Sequence, residues 1–323
     1  MSIKNNIRNT ISKSKNAELA FFKVRSVREA IARATISDYK YISRTYKERF
    51  HEDINLANPQ TLGEKLQWLK LFYRDDIMPI CSDKYAVRSY LKEREHEDLL
   101  NELLGVYTDA RDIDFNALPN KFVAKATHGS SWNVICTDKS KLDWRYTQKL
   151  LNAWLKLNCY TFGREWNYKE MTPRIVVEKF IEHQPLHDYK LMCYNGEPLY
   201  MQLNNELNGT AYVDFYTLNT WEKLPVSYAH YEHSKRLIEK PKQLRKMMKL
   251  VKELSKPFPF VRVDFYAYDK EIIFGELTFF PSSGLWPIAP RELGYDITFG
   301  EPLKLPEPNY NLELLSSIVS KTK

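Results

Sequence analysis

Asp264 and Glu276 are the pair of side chains on which chemistry can be built. They lie in the stretch from Phe258 to Gly284, where Val261, Val263 and Phe265 alternate with Arg262, Asp264 and Tyr266, the period of a half-buried strand. Ile272, Phe274, Leu277 and Phe279 make the next strand, and Tyr268-Asp269-Lys270 can turn the chain between the two. The two acids then fall close together on antiparallel neighbours. Carboxylates so placed repel unless a cation lies between them, and Mg²⁺ is usually held by one or two carboxylates plus phosphate. The pair is therefore a magnesium–nucleotide candidate. Taken in isolation it reads more simply as a solvated hairpin face with ordinary surface acids, and only the residues upstream tilt the choice.

Upstream, Lys121-Phe122-Val123-Ala124-Lys125 is a strand that runs into His128-Gly129-Ser130-Ser131, and Val134-Ile135-Cys136 returns from it. Lys125 suits the α- and β-phosphates of a nucleotide as a point charge. The loop from His128 to Asn133 could turn backbone N–H groups toward the outer phosphates. A single glycine makes it a weak phosphate loop, and each feature alone has a plainer reading, a hairpin turn and a solvated lysine. After a break at Pro173, the strand Arg174 to Ile181 carries Glu178, and the strand after it carries Lys190. Arg262-x-Asp264 and Glu276-x-Thr278 close the series, whose order says more than any member.

The elements that must position these groups belong to a chain of 323 residues, long enough for more than one lobe. Lys and Arg number 48 against 41 Asp and Glu, a net charge of +7. That mild excess is compatible with anionic substrates or a membrane surface and proves neither. Cys81, Cys136, Cys159 and Cys193 form no C-x-x-C pair, which argues against a disulfide framework or zinc knuckle and for a reducing cytoplasm. No secretory signal and no run of about 18 apolar residues is evident, so neither a membrane span nor export by that route is expected. Residues 1 to 16 are polar and basic and expected to fray. Ala20, Val24, Val27, Ile31 and Ala34 then step by four and three along a helix whose other face carries Lys23, Arg25, Arg28 and Arg33. Such a helix could lie on an anionic leaflet. The blander expectation is packing on the body with the basic face solvated, since the apolar side is narrow and alanine-rich. Thr61-Leu62-Gly63-Glu64 is a capping box opening a helix, and further helices are expected near Ser82, over 140–158 and over Pro241 to Lys256. Asn195-Gly196 marks a tight hairpin, and Tyr212 to Pro225 reads as another.

Taken together these motifs resemble the ATP-grasp superfamily, and within it the TupA-like branch associated with teichuronopeptide biosynthesis. The resemblance is carried by KLQWLKLF (65–72), DKYAVR (83–88), FVAKATHGS (122–130), GREW (163–166), EKFIE (178–182), DYKLMCYNG (188–196), FVRVDFY (260–266) and FGELTF (274–279). It implies an α+β ATP-grasp fold with a nucleotide between two antiparallel sheets. A helical N-terminal region would span 1–104, a lid subdomain 105–181, and a large subdomain with the metal site 182–323. It implies ATP and Mg²⁺, with Lys125, His128, Gly129, Ser130 and Ser131 on the lid. Glu178, Lys179, Phe180 and Ile181 would form the hinge that reads adenine, with Glu182 and Asp188 for the ribose hydroxyls. Lys190 would approach phosphate, Arg262 would lie beside the transferred phosphoryl group, and Asp264, Glu276 and Thr278 would hold the metal. The third of these is a departure, because the usual motif ends in Asn rather than Thr278, and a hydroxyl binds metal more weakly.

The activity implied is ATP-dependent carboxylate–amine ligation through an acyl phosphate, in the cytoplasm, in the synthesis of a bacterial cell-surface polysaccharide or teichuronopeptide. The carboxylate would be a uronic or amino acid and its partner an amine; no nucleic acid is expected, and peripheral contact with the inner membrane surface stays open. The alternatives are a glycosyltransferase, for which no D-x-D is present, an ATP-grasp kinase, and a non-catalytic nucleotide-binding partner. His183 with His187, and His230 with His233, have half-site zinc spacing but no thiolate partners, so loop histidines are the plainer reading. The insertion Asn204 to Lys240 carries Tyr212, Tyr216, Trp221, Tyr228 and Tyr231 beside Lys223, His230, His233 and Lys235, a candidate wall for an anionic sugar. Trp286 is a further stacking candidate, or a core residue.

Overall fold

The protein is described here by a computed structural model covering residues 14–182, 187–207 and 210–321. In chain order the first elements are α1 (Lys15–Thr35), α2 (Asp38–Phe50), α3 (Leu62–Phe72), α4 (Ile77–Ser82), α5 (Val87–Lys92), β1 (Leu103–Tyr107), β2 (Phe122–Ala126) and β3 (Asn133–Cys136). Then come α6 (Trp144–Trp154), α7 (Tyr160–Gly163), β4 (Ile175–Lys179), β5 (His187–Tyr194), β6 (Glu197–Leu207), β7 (Thr210–Thr217) and β8 (Ser227–Tyr228). The chain ends with α8 (Leu244–Ser255), β9 (Phe260–Tyr268), β10 (Glu271–Thr278), β11 (Ile288–Ala289), α9 (Tyr295–Gly300) and α10 (Leu312–Ser320).

Two compact units share these elements. The first comprises Met1–Ser37, Asp83–Ser89 and Asn101–Glu182, and the second Asp38–Ser82, Tyr90–Leu100 and His183–Lys323. The residues of the expected helical region 1–104 are thus divided between them. The sheet of the first unit is antiparallel throughout, in the order β1-β4-β2-β3. Phe122, Ala124 and Ala126 of β2 are buried while Val123 and Lys125 are half-buried, which is the alternation that a one-sided core imposes. Leu150, Leu151 and Trp154 of α6 belong to the same core as Phe122, Ala124 and Val177. The helix expected over 140–158 is shorter, because Asp143 accepts from the Tyr146 amide at 3.0 Å and caps α6 there.

α1 corrects the expectation for its orientation. Leu19 and Phe22 pack on the core, with Phe22 edge-on to Trp154 at 6.4 Å between centroids. Arg25 lies over Phe162 at 3.7 Å. The stripe Ala20, Val24, Val27, Ile31 and Ala34 is exposed. Two large side chains and a stacked guanidinium bury more area than a narrow line of alanines and valines, so they take the packed side. The basic N-terminal stretch lies largely outside the described residues, which start at residue 14.

The second unit is built on a five-stranded antiparallel sheet in the order β10-β9-β5-β6-β7. α8 packs on β5, β6 and β9, burying Leu244, Met247, Val251 and Leu254. The hairpin at Asn195-Gly196 has φ of 49° and 85°, the left-handed pair that a two-residue turn with the right twist requires. Thr61 and Glu64 form the capping box of α3 reciprocally. Among the described residues no helix is long and apolar enough to cross a membrane, and the four cysteines are free thiols.

Candidate functional site

In the second unit, Glu276, Asp264, Lys190 and Gln202 are successive register partners across β10, β9, β5 and β6. Register partners project to one face of a pleated sheet, and residues two positions along a regular strand join them, which adds Thr278, Arg262 and Asp188. Gly275 makes the register of the acids possible. It sits where the β9–β10 ladder is irregular, between Phe274 and Glu276, and a Cβ there would come to 2.9 Å of the Asp264 carbonyl oxygen.

Arg262 forks onto Asp264, with Nε to Oδ1 and Nη2 to Oδ2 both 2.7 Å. Lys190 Nζ lies 2.7 Å from Asp264 Oδ2 and 2.6 Å from Asp188 Oδ2. The Thr278 hydroxyl accepts from Arg262 Nη2 at 3.2 Å and donates to Glu276 Oε1 at 3.1 Å. Lys190, Arg262 and Asp264 are all buried. Burial alone would lower the pKa of Lys190, but Asp264, with Asp188 behind it, leaves the ammonium held above its ordinary value. The same balance, burial against Asp264 and then Glu276, leaves Arg262 raised. Asp188 is pushed up, by burial first and by the Asp264 charge second.

Three carboxylates against two cations leave this face one formal negative charge, and Asp188 Oδ1 is buried without a hydrogen-bond partner among the described residues. A hard cation would satisfy both, and the available donors are oxygens, so the residues fit Mg²⁺. Among the described residues no group of three or more His, Cys, Asp or Glu side chains is arranged to hold a metal ion. The expected set is instead two carboxylates and a hydroxyl, completed by phosphate.

In the first unit, Lys125 Nζ lies 2.7 Å from Glu178 Oε2, and Arg88 Nη1 lies 3.6 Å from Glu178 Oε1. Arg88 had not been singled out from the sequence; its place in DKYAVR, ahead of the lysine strand, was the available signal. The loop after β2 is closed by the Ala126 amide donating to Trp132 O at 2.9 Å, and Lys84 Nζ donates to Gly129 O at 2.7 Å. Gly129 is required by close approach, since a Cβ would meet the Trp132 ring at 2.2 Å. Ser130 and Ser131 are exposed at the loop tip. The His128 ring turns the other way: it is buried, with Nε2 3.0 Å from Trp154 O. Only the main chain of His128 is thus available to a ligand on the exposed side of the loop. The Lys179 amide donates to Glu102 O, and Lys179 O accepts from Asn101 Nδ2 at 2.8 Å. Phe180 and Ile181 are half-buried, and Glu182 is exposed with Lys121 at 2.6 Å.

The sequence model of the family described as TupA-like ATPgrasp matches residues 64–304. The chain belongs to the TupA-like ATP-grasp family. Membership brings with it the ATP-grasp fold, as the motifs implied. No curated protein matches the chain. Among solved structures it is similar to a D-alanine-D-alanine ligase from Helicobacter pylori, at 16% identity and a TM-score of 0.40 over 76% of this chain and 69% of that one. A D-alanine–D-alanine ligase from Bacillus anthracis complexed with ATP aligns at 14% identity and 0.39, over 80% and 70%. The ATP-grasp ligase PsnB, complexed with a minimal precursor, Mg and ADP, aligns at 10% and 0.38 over 80% of this chain and 66% of its own.

Within this ATP-grasp chain the aromatic insertion divides in two. Trp221 stacks on buried Tyr216 at 4.8 Å and donates its indole N–H to Ile238 O at 2.8 Å. Lys223 is buried against Asp214 at 3.0 Å and also donates to Ser234 O. His233 Nε2 lies 2.9 Å from Leu224 O. Tyr216, Trp221 and Lys223 thus form a satellite core, contrary to the wall read from the sequence, because a buried lysine needs its carboxylate and an indole its acceptor, while His233 is exposed beside it. Tyr228, His230 and Tyr231 instead gather on Trp286, at 5.2, 4.1 and 5.8 Å between centroids. Tyr228 also donates to Gln202 Oε1 at 3.3 Å, joining this group to the charged face.

Two further residues had a signal in the sequence only through their place in KLQWLKLF (65–72). Gln67 Nε2 donates to Ser283 O and Gly284 O at 2.8 and 2.9 Å, and buried Lys70 donates to Ser283 O at 2.6 Å. They hold the loop at Ser282 and Ser283, whose φ of 51° and 56° are costly for side-chain-bearing residues. His183 lies outside the described residues, as does the side chain of His187.

Proposed function

We propose that this ATP-grasp protein is a carboxylate–amine ligase that builds an amide into a bacterial cell-surface polysaccharide or teichuronopeptide, working in the cytoplasm. The observation that carries the reading is the single row Glu276, Asp264 and Lys190 with Arg262 forked onto its centre. Asp264, Glu276 and Thr278 would hold Mg²⁺, which supplies charge neutralisation to ATP phosphates. Lys125, Ser130, Ser131 and the main chain of His128 and Gly129 hold phosphate. Glu178 with the main chain of Phe180 and Ile181 reads adenine, and Glu182 meets ribose. Lys179 has its amide engaged by Glu102 and its carbonyl by Asn101, which leaves the hinge contacts to Phe180 and Ile181, while Asp188 balances Lys190.

A carboxylate oxygen of the acceptor attacks the γ-phosphorus as the bond to ADP breaks, giving an acyl phosphate. The amine nitrogen then attacks the acyl carbon, loses a proton, and inorganic phosphate leaves. Lys190 and Arg262 stabilise the charge that develops on the transferred phosphoryl group. His230, Tyr231 and Trp286, backed by buried Tyr228, suit the sugar of a uronic acid, since rigid rings with polar edges stack on pyranose faces at little entropic cost.

Hydroxylamine replaces the amine in the decisive experiment. With ATP and a panel of uronic and amino acids, a hydroxamate accompanied by ADP and phosphate is expected. Asp264→Asn and Glu276→Gln should each slow it by roughly 10²–10³ without unfolding the protein. A phosphoester without free phosphate would identify a kinase, nucleotide release from a sugar nucleotide would identify a glycosyltransferase, and wild-type rates in both variants would make the acids structural.

A further inference from the structure

α1 presents to solvent the side of a helix that usually seeks cover. Val24 is 68% exposed, Val27 59% and Ile31 60%, and Ala20 and Ala34 continue the stripe over about 21 Å at 1.5 Å per residue. At about 100° per residue, Lys23 and Arg28 fall on the two shoulders of that stripe, and both are exposed. The only two acids of the helix are turned the other way and engaged there. Glu18 accepts the hydroxyl of Tyr146, and Glu29 pairs with Arg25 at 2.7 Å. Residues 1–33 carry eight basic side chains against those two acids, six of the seven net positive charges of the chain.

We propose that α1 docks on an anionic bilayer surface, with Val24, Val27 and Ile31 at the boundary between headgroups and acyl chains and Lys23 and Arg28 at the level of the lipid phosphates. Small aliphatic residues flanked by cations, with every acid withdrawn, match that surface in both polarity and sign. A protein partner would be expected to offer acids of its own and to reward larger, aromatic anchors on the stripe. The docking is independent of the ligase reading, since every residue it uses lies on α1. It would bring the enzyme to substrates held at a membrane.

The test is co-sedimentation of the full chain with vesicles of phosphatidylethanolamine and phosphatidylglycerol, against vesicles of phosphatidylcholine alone. Binding to the anionic vesicles is expected, weakened by salt. Val27→Glu with Ile31→Glu, and separately Lys23→Glu with Arg28→Glu, should each reduce it by roughly tenfold or more. Because all four side chains are exposed, circular dichroism and melting should match the wild type. Equal binding to neutral vesicles, unchanged binding by either variant, or a wild-type dimer that the Val27→Glu, Ile31→Glu variant splits would overturn the proposal, the last by assigning the stripe to a second copy of this chain.

Discussion

At Asp264 a single buried carboxylate answers two cations, Arg262 through both oxygens and Lys190, which Asp188 also meets. Such a cluster is costly to assemble, and the cost rises when one partner is removed, because the remaining charge stays buried. It persists where the same charges have a second use, which in the proposed function is to hold metal and phosphate. His128 shows the opposite solution. Its ring is buried in the first unit and burial lowers its pKa from the ordinary 6.5, so the fold holds it neutral. A folded value below the unfolded one means that the stability it contributes is present above pH 6.5 and is lost as pH falls from there through the folded value. Melting temperature is expected to drop as pH falls below 6.5 in the wild type and to drop less in His128→Gln. Parallel curves for the two proteins would show that the ring is not the group that titrates.

At the scale of elements, the hairpin β9–β10 and the helix α3 do the positioning. Alternation and the turn at Tyr268-Asp269-Lys270 were enough to read the hairpin; the irregularity at Gly275 shows in the sequence as a step of three from Phe274 to Leu277, but that it sets Glu276 opposite Asp264 is decided by the pairing. The capping box of α3 was plain in the sequence, and the structure adds to it. Glu64 also accepts from the Asn55 and Gln60 amides, at 3.0 and 2.9 Å, so the acid pins the preceding loop as well as the helix start. Thr61→Ala should cost about 1 kcal/mol. Glu64→Gln should cost more, about 1.5–3 kcal/mol, because a buried carboxylate loses charge-assisted bonds. Urea unfolding measures both, and a smaller loss in Glu64→Gln than in Thr61→Ala would show that the loop contacts carry no stability. Since Gln67 and Lys70 of α3 hold the left-handed turn at Ser282 and Ser283, damage to this cap is also expected to loosen that loop.

At the scale of the whole molecule, the two units are assembled from interleaved stretches of chain, and ligand binding is the probe that reports on all of it. A ligand that binds only the folded form stabilises it by about 2.7 kcal/mol at a hundredfold excess over Kd. ATP with magnesium is expected to raise the melting temperature, EDTA to remove most of the gain, and Asp264→Asn to show little of it. No shift at millimolar ATP and magnesium would refute nucleotide binding. What the sequence determined by itself was the family, the longer strands β2 to β7, β9 and β10, though not β1, β8 or β11, and the order in which Lys125, Glu178, Lys190, Asp264 and Glu276 arrive, because period and turn chemistry are local properties of the chain. Only the tertiary structure decided which face each element turns to its neighbours. Apolar spacing marked the stripe Ala20 to Ala34 of α1 for the core, but the neighbouring surface took Phe22, Leu19 and the guanidinium of Arg25 instead. Aromatic composition marked Trp221 for a ligand, and Tyr216 and Ile238 claimed it. Burial depends on the partner as much as on the side chain, and the partner arrives from elsewhere in the chain.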